Sequence, residues 1–318
     1  MFFDLPLDQL REVRPQGVEP ADFDAFWSRT LSAARAATTA PLVKPYDSGL
    51  ATVDVFDVRF AGFNGEPIAA WLTVPRGVTP AITVVQYHGY SGSRGFPIDN
   101  LLWSAAGHAH LSVDSRGQGW ALNDMGATSD LATVTPGPLG LMTRGIDSPD
   151  NYYYRRLFTD AALAVDFVRG YEPLRDTKVV VQGGSQGGGI TLAVAGLVEG
   201  LHGVLPDYPF LCDYRRAVAI TDSYPYREIS DYCQAYRDQV EHVFETLAYF
   251  DGTSFAARAT APTLFSVALM DQVCPPSTVF AAYNVYGGRK DIGVYEFNGH
   301  EGGGPYHRRR QLAFLQDV

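Results

Sequence analysis

The stretch VVVQGGSQGGGI, residues 179–190, constrains the fold of this chain more than any other. Three consecutive valines run into a serine flanked by glycines, and the chain then turns apolar again. A buried strand followed at once by an apolar helix needs a tight turn. Such a turn holds its central residue in a strained conformation, so close neighbours in space must be small. Gly183 and Gly187 supply that clearance around Ser185, and Gly183-Gly184-Ser185-Gln186-Gly187 fits G-x-S-x-G. The spacing predicts a nucleophile elbow. Oγ of Ser185 stands above the sheet edge, and the backbone N–H of Gln186 points at a developing oxyanion. The competing reading is a glycine-rich turn that only packs tightly or binds phosphate.

The rest of the chain alternates in the same manner. Helical spacing over 20–38 places Phe23, Phe26, Trp27, Leu31 and Ala34 on one face. Strands are expected over 51–60 and 67–74, with Asn64-Gly65 as a turn signal between them. The run 81–89 is continuously apolar, as buried parallel strands are. A helix near 98–106, a strand near 109–114, a helix from Tyr152 to about Gly170 and a strand over 177–184 follow. Then come a helix over 186–199, a strand over 216–222, helix over 226–250, and a strand over 261–269. The last elements are a helix over 276–286, a strand over 291–297 and a helix over 304–316. This order implies an α/β fold: a mostly parallel central sheet, helices on both faces, and an antiparallel N-terminal edge. One domain is expected over 1–318, with a helical extension over about 1–40. Residues 121–150 lack periodicity and carry Pro136, Pro138 and Pro149, with Leu139, Leu141, Met142 and Ile146 expected at the surface. A loop that long is usually functional or an interface.

Composition narrows the partners. The formal charge is −10, which repels phosphate backbones and argues against nucleic acid. Cys212, Cys233 and Cys274 are too few and too odd for a disulfide framework, so a reducing, cytoplasmic compartment is expected. No apolar run is long enough to cross a membrane, and Asp4 and Asp8 interrupt the N-terminal one, so neither a membrane partner nor a signal peptide is expected.

A serine nucleophile on such a sheet needs an acid and then a histidine, each after a later strand. Asp271 follows TLFSVAL, and His300 follows VYEF. His300 would take and return the Ser185 proton, while Asp271 fixes the imidazole tautomer. Asp222, after AITD, is the alternative acid. His307, beside Arg308 to Arg310, is expected on a solvated helix face, and Glu301 as a local hydrogen-bonding or substrate-facing group. The loop HGYSGS, 88–93, offers the backbone N–H of Tyr90 as second oxyanion donor and places Tyr90 against the substrate. His108 and His110 share a strand face without a third ligand, so core packing is expected rather than metal. Cys274 lies close enough in sequence to Asp271 to line the pocket.

The chain resembles the acetyl xylan esterase and cephalosporin-C deacetylase family, a carbohydrate-esterase branch of the α/β-hydrolases. Arg116-Gly117-Gln118, the GGSQGG elbow and the His300-Glu301 pair carry the resemblance. FFDLPLDQL, MTRGI at 142–146, DNYYYRR at 150–156 and MDQVCPPST at 270–278 extend it nearly end to end. It implies removal of acetyl groups from small sugars and related esters, without metal or organic cofactor. It assigns Ser185, Asp271 and His300 as triad, Tyr90 and Gln186 as oxyanion donors, and Arg116, Gly117 and Gln118 as structural support. It also implies a homohexamer, a pair of trimers whose sites face an inner cavity. Another serine-dependent hydrolase of this fold (short-chain carboxylesterase, lactonase or peptidase) and a non-catalytic member remain as alternatives. Oligopeptidases of the fold carry a large screening domain, for which this chain has no room.

Overall fold

The computed structural model describes residues 2–121, 125–132 and 140–318. The strands are β1 (Leu42–Tyr46), β2 (Val53–Ala61), β3 (Pro67–Pro75), β4 (Ile82–Tyr87), β5 (Ala109–Val113), β6 (Lys178–Gly184), β7 (Gly203–Asp207), β8 (Thr263–Ala268) and β9 (Lys290–Tyr295). They form one sheet in the order β1-β2-β3-β5-β4-β6-β7-β8-β9. Pairings from β1 through β3 to β5 are antiparallel, and those from β5 onward are parallel. The helices are α1 (Leu7–Leu10), α2 (Phe23–Ala36), α3 (Leu102–Ala105), α4 (Tyr153–Gly170), α5 (Gln186–Leu197), α6 (Tyr214–Ile220), α7 (Tyr226–Ala235), α8 (Val240–Ala248), α9 (Gly252–Arg258), α10 (Pro276–Val285) and α11 (Gly304–Asp317).

Burial on both faces explains the unbroken apolar strands. Val179 and Val181 of β6 pack into the larger core, which also holds apolar side chains of α2, α4, α5 and α10. Val180 faces a smaller core with Trp103 of α3, Leu205 of β7 and Leu315 of α11. A strand covered on both sides needs no polar alternation. The one-face spacing of α2 buries Phe23, Phe26, Trp27 and Leu31, and Trp27 Nε1 donates to the Tyr249 carbonyl at 2.9 Å. Each such buried Phe or Leu stabilises the fold by roughly 1.5–3 kcal/mol.

Four expectations change. The segment 216–222 is not a strand: 214–220 is helix α6, with Tyr214 and Ala217 buried one turn apart. Arg216 of this helix bonds Asp4 at 2.9 Å and Ser277 at 2.7 Å. The strand at this place in the sheet is β7, GVLPD, buried throughout, whose Gly203, Pro206 and Asp207 disguise it. Edge strand β1, LVKPY, gives no apolar pattern because four of its five residues are exposed; Lys44 and Pro45 suit an edge that must not pair further. The helix expected over 98–106 contracts to α3, and that over 226–250 is broken by a 3₁₀ turn at Arg237–Gln239.

The loop before α4 also differs. Leu141, Met142 and Ile146 are buried in the larger core rather than exposed. Tyr152 Oη donates to the Met142 carbonyl at 2.9 Å, and Met142 N donates to Glu228 Oε2 at 3.0 Å. This part folds back onto its own chain, because its apolar side chains find a dry site there. Pro136, Pro138 and Leu139 lie outside the described residues, whereas Met125 and Leu131 are exposed.

Candidate active site

The elbow forms as its spacing requires. Ser185 sits between β6 and α5 with φ 57° and ψ −121°, a region that non-glycine residues rarely adopt. The surroundings hold it there: Ser185 N donates to the Asp207 carbonyl at 3.0 Å, and Phe210 N donates to the Ser185 carbonyl at 2.9 Å. A Cβ on Gly183 would come within 2.5 Å of the Gly187 backbone, and one on Gly187 within 2.2 Å of the Tyr87 carbonyl oxygen. No other residue fits at either position.

Asp271 follows β8 and His300 follows β9, and the structure brings both to Ser185. His300 Nε2 lies 3.0 Å from Ser185 Oγ, and its Nδ1 lies 2.9 Å from Asp271 Oδ2. Asp271 is fully buried, and its Oδ1 accepts the backbone N–H of Val273 at 2.8 Å and of Cys274 at 3.0 Å. These bonds pin the carboxylate, which in turn favours the proton on Nδ1 and leaves Nε2 to accept from the serine. Tyr208 packs edge-on against the imidazole, with centroids 5.0 Å apart. Asp222, by contrast, is exposed and follows a helix, so the alternative acid has no place in this cluster.

Cys274 is buried with Sγ 4.0 Å from Ser185 Oγ. Its ligand atom, with those of Asp271 and His300, falls within 4.8 Å of the other two. Burial, then the Asp271 charge, pushes the Cys274 thiol well above its ordinary range. The thiol thus stands beside the serine as a weak hydrogen-bonding group, and both imidazole nitrogens are already engaged with Ser185 and Asp271.

The loop after β4 supplies the opposite wall. Tyr90 Oη donates to Glu228 Oε1 at 2.7 Å and accepts from Leu141 N at 3.2 Å, and its ring meets Trp120 edge-on. The phenol is therefore tied into the wall. A cavity of about 590 Å³ opens over Ser185, with Tyr90, Trp120, Tyr208, Tyr224, Pro225 and Val273 among its lining.

Arg116, Gly117 and Gln118 lie behind the site. The buried Arg116 guanidinium bonds both oxygens of Asp160, at 2.5 and 2.8 Å, and Glu66 at 2.6 Å. Burial opposes its charge, but the two carboxylates outweigh burial and hold it protonated. Gly117 takes φ 67°, and Tyr153 Oη donates to the Arg116 carbonyl at 2.6 Å. Gln118 Oε1 accepts from Ser91 N at 2.7 Å, while its Nε2 donates to Gln186 Oε1 at 3.0 Å. One side chain thus ties the Tyr90 loop to the first residue of α5. Tyr154 Oη donates to the same Gln186 oxygen at 3.0 Å, so Tyr152 to Tyr154 do pack, but with every hydroxyl engaged. Glu301 closes its own loop by accepting from Asn298 Nδ2 at 2.5 Å and Gly299 N at 3.1 Å.

Two histidines complete the account. His110 is a core histidine, as expected; its Nε2 lies 2.8 Å from Gln86 Oε1, and burial, then nearby His88, lowers its pKa to about 3. His307 is not on a solvated face. It is buried, with Nε2 3.1 Å from Asp207 Oδ1 and Nδ1 3.0 Å from Tyr295 Oη. Its inward period, His307, Gln311 and Leu315, is helical but mostly polar, so hydrophobicity does not reveal it.

A mostly parallel sheet with a strained serine between strand and helix, and a histidine and acid after later strands, defines an α/β-hydrolase. The acetyl xylan esterase (AXE1) family profile matches residues 1–318, and the chain belongs to that family of carboxylic ester hydrolases. An acetyl xylan esterase structure from Paenibacillus sp. R4 superposes with TM-score 0.91 at 39% identity, covering 99% of this chain and all of that one. Acetyl xylan esterase 1 from Thermoanaerobacterium sp. JW/SL YS485 gives TM-score 0.90 at 36% identity, covering 99% of both chains. Acetyl esterase Axe7A of Xylanibacter ruminicola is 26% identical over 298 residues; these span 91% of this chain but 65% of that longer protein. Acylaminoacyl peptidase from Pyrococcus horikoshii, at 17% identity and TM-score 0.59, shares the fold alone.

Proposed function

We propose that this chain is a serine esterase that releases acetate from small acetylated substrates, including acetylated xylo-oligosaccharides and cephalosporin C-like esters. The observation that carries the reading is the Ser185–His300–Asp271 chain of 3.0 and 2.9 Å contacts, at the mouth of the cavity over the elbow. His300 Nε2 takes the Ser185 proton as Oγ attacks the acetyl carbonyl. The backbone N–H groups of Gln186 and Tyr90 hold the tetrahedral oxyanion. His300 then protonates the leaving alcohol, and water, activated by the same imidazole, frees acetate from the acetyl-enzyme. Asp271 holds the imidazole in the required tautomer throughout. No step needs a metal or organic cofactor.

Ser185→Ala decides the catalytic part. It should lower hydrolysis of 4-nitrophenyl acetate by about 10⁴-fold or more while leaving the circular dichroism spectrum unchanged. Retention of a tenth of the wild-type rate would place the nucleophile elsewhere.

The assembly reading is also retained as a proposal. Burial of Leu141, Met142 and Ile146 removes the argument from an exposed loop, so the hexamer now rests on the family resemblance. Enclosed sites would admit oligosaccharides and exclude polymeric xylan. Light scattering during size exclusion tests it, and a monomer mass at micromolar protein ends it.

A further inference from the structure

The cavity over Ser185, at about 590 Å³, is far larger than an acetyl group, so most of it is left for the alcohol half of an ester. His300 protonates the leaving oxygen, which puts the alcohol on the imidazole side, across from the Tyr90 wall. His300 is itself exposed, so this side opens to solvent and admits a bulky group. The segment before α7 forms its rim. Thr221 Oγ1 donates to the carbonyl of Gln272, next to Asp271, at 2.5 Å, and Ser223 N donates back to Thr221 Oγ1 at 3.1 Å. Tyr224 follows, lining the cavity with Pro225 and Val273.

Tyr224 differs from the other aromatic side chains around this opening. Tyr90 and Trp120 pack on each other, and Tyr208 packs on His300. Tyr224 instead leaves 59% of its surface in water. A single exposed ring is ordinary on a protein surface, but this one is held in place. Its Oη donates to Asp231 Oδ2 at 2.9 Å, and Asp231 Oδ1 accepts from Arg227 Nε at 2.7 Å, one turn back along α7. The hydroxyl is thereby spent on the protein. What Tyr224 offers a substrate is the face of its ring, kept at the rim with little rotamer freedom left to lose on contact.

A flat, neutral group with C–H bonds directed out of its plane fits such a face, because the aromatic quadrupole is negative there. A β-xylopyranosyl ring is of this kind: its hydroxyls are equatorial, and both of its faces carry only axial hydrogens. An acetyl group on one of those hydroxyls is equatorial too, so the sugar can extend from Ser185 toward the rim edge-first and present a face to Tyr224. We propose that Tyr224 is a specificity residue of the alcohol side, its ring the platform on which the pyranose of an acetylated xyloside stacks. This rests on the esterase reading above and adds what that site selects in its leaving group.

Acetate release in a pH-stat, from methyl 3-O-acetyl-β-D-xylopyranoside and from ethyl acetate, tests the platform on wild type, Tyr224→Ala and Tyr224→Trp. The two esters share the acyl group, and ethanol has no ring to stack. In Tyr224→Ala the KM for the xyloside should rise about tenfold with kcat little changed, because the ring contact is made equally in bound substrate and transition state. Ethyl acetate should be hydrolysed as by wild type, which also reports an intact site. Tyr224→Trp should keep the xyloside KM within about threefold of wild type, since it restores an aromatic face. An unchanged xyloside KM in Tyr224→Ala overturns the proposal. So does an equal loss on both esters, which makes Tyr224 a brace for α7, or a tryptophan variant as impaired on the xyloside as the alanine one. Wild type that hydrolyses ethyl acetate but not the xyloside overturns the platform and leaves the esterase reading standing. Wild type inactive on both esters overturns the esterase reading, and the platform with it.

Discussion

Gln118 and Gln186 face each other across a 3.0 Å amide–amide hydrogen bond, and the other end of Gln118 holds the N–H of Ser91 at 2.7 Å. The two backbone segments assigned to the oxyanion hole, at Tyr90 and Gln186, are thereby spaced by one side chain. Gln118→Leu keeps the volume and removes these two bonds, together with the one Gln118 Nε2 gives Tyr153 Oη at 2.9 Å. It should cost about 1–3 kcal/mol of stability, because Ser91 N loses its acceptor. Misplacing the oxyanion donors should lower kcat by about 10²-fold with little change in KM. Steady-state kinetics and a urea titration measure the two effects separately. A stability loss with unchanged kcat would mean that the bridge only supports the fold.

The acids can be separated in the same way. Asp271→Asn leaves the shape intact but offers an amide where Nδ1–H needs an acceptor, so activity should fall by on the order of 10⁴-fold. Asp222→Asn, at an exposed position, should stay within about twofold of wild type. Reversed effects would reassign the acid.

Asp213 carries a pH signature of its own. It is buried beside Asp251 in a left-handed backbone conformation, and burial, then the Asp251 charge, raises its pKa to about 6. The unfolded chain loses this proton near the ordinary carboxylate range while the folded chain keeps it. Stability from this group therefore falls as pH rises toward 6, and the loss is fully present above that. Asp213→Asn removes the penalty and tolerates the left-handed backbone. It should stabilise the protein by about 1–2 kcal/mol at pH 7.5 and by nearly nothing at pH 4. Urea midpoints at the two pH values check the difference. An equal gain at both would show that the charge is not the cause.

These residues also show what the sequence makes legible. Ser185 and Asp271 each follow a largely apolar, buried strand, His300 follows the more polar β9, and glycines mark the elbow, so order along the chain assigns all three. β7 escaped because a short strand buried on both faces can carry Gly203, Pro206 and Asp207 when ladder bonds and neighbours hold it. His307 escaped for the opposite reason. Its helix buries polar side chains against Asp207, and a polar inward face beside three arginines looks like a solvated one.

Acyl chain length gives the last test, with Tyr90 as the wall proposed to limit it. Tyr90 is held at its hydroxyl by Glu228 and Leu141 N, and at its ring by Trp120. A wall fixed at both ends cannot swing aside for a longer acyl group. One methylene in a rigid pocket is worth about 1–3 kcal/mol, or roughly 10–200-fold. The 4-nitrophenyl series should accordingly fall steeply between acetyl and butyryl. Tyr90→Phe removes the hydroxyl tether while keeping the ring, so it should narrow the acetyl-to-butyryl ratio of kcat/KM several-fold. Glu228 keeps Met142 N, but Leu141 N loses its acceptor, so the fold should survive at a cost of about 1–3 kcal/mol. Equal wild-type rates on acetyl and octanoyl esters would point to an open, lipase-like acyl site. An unchanged ratio in Tyr90→Phe, with the steep series intact, would move the limiting wall from Tyr90 to another side of the cavity.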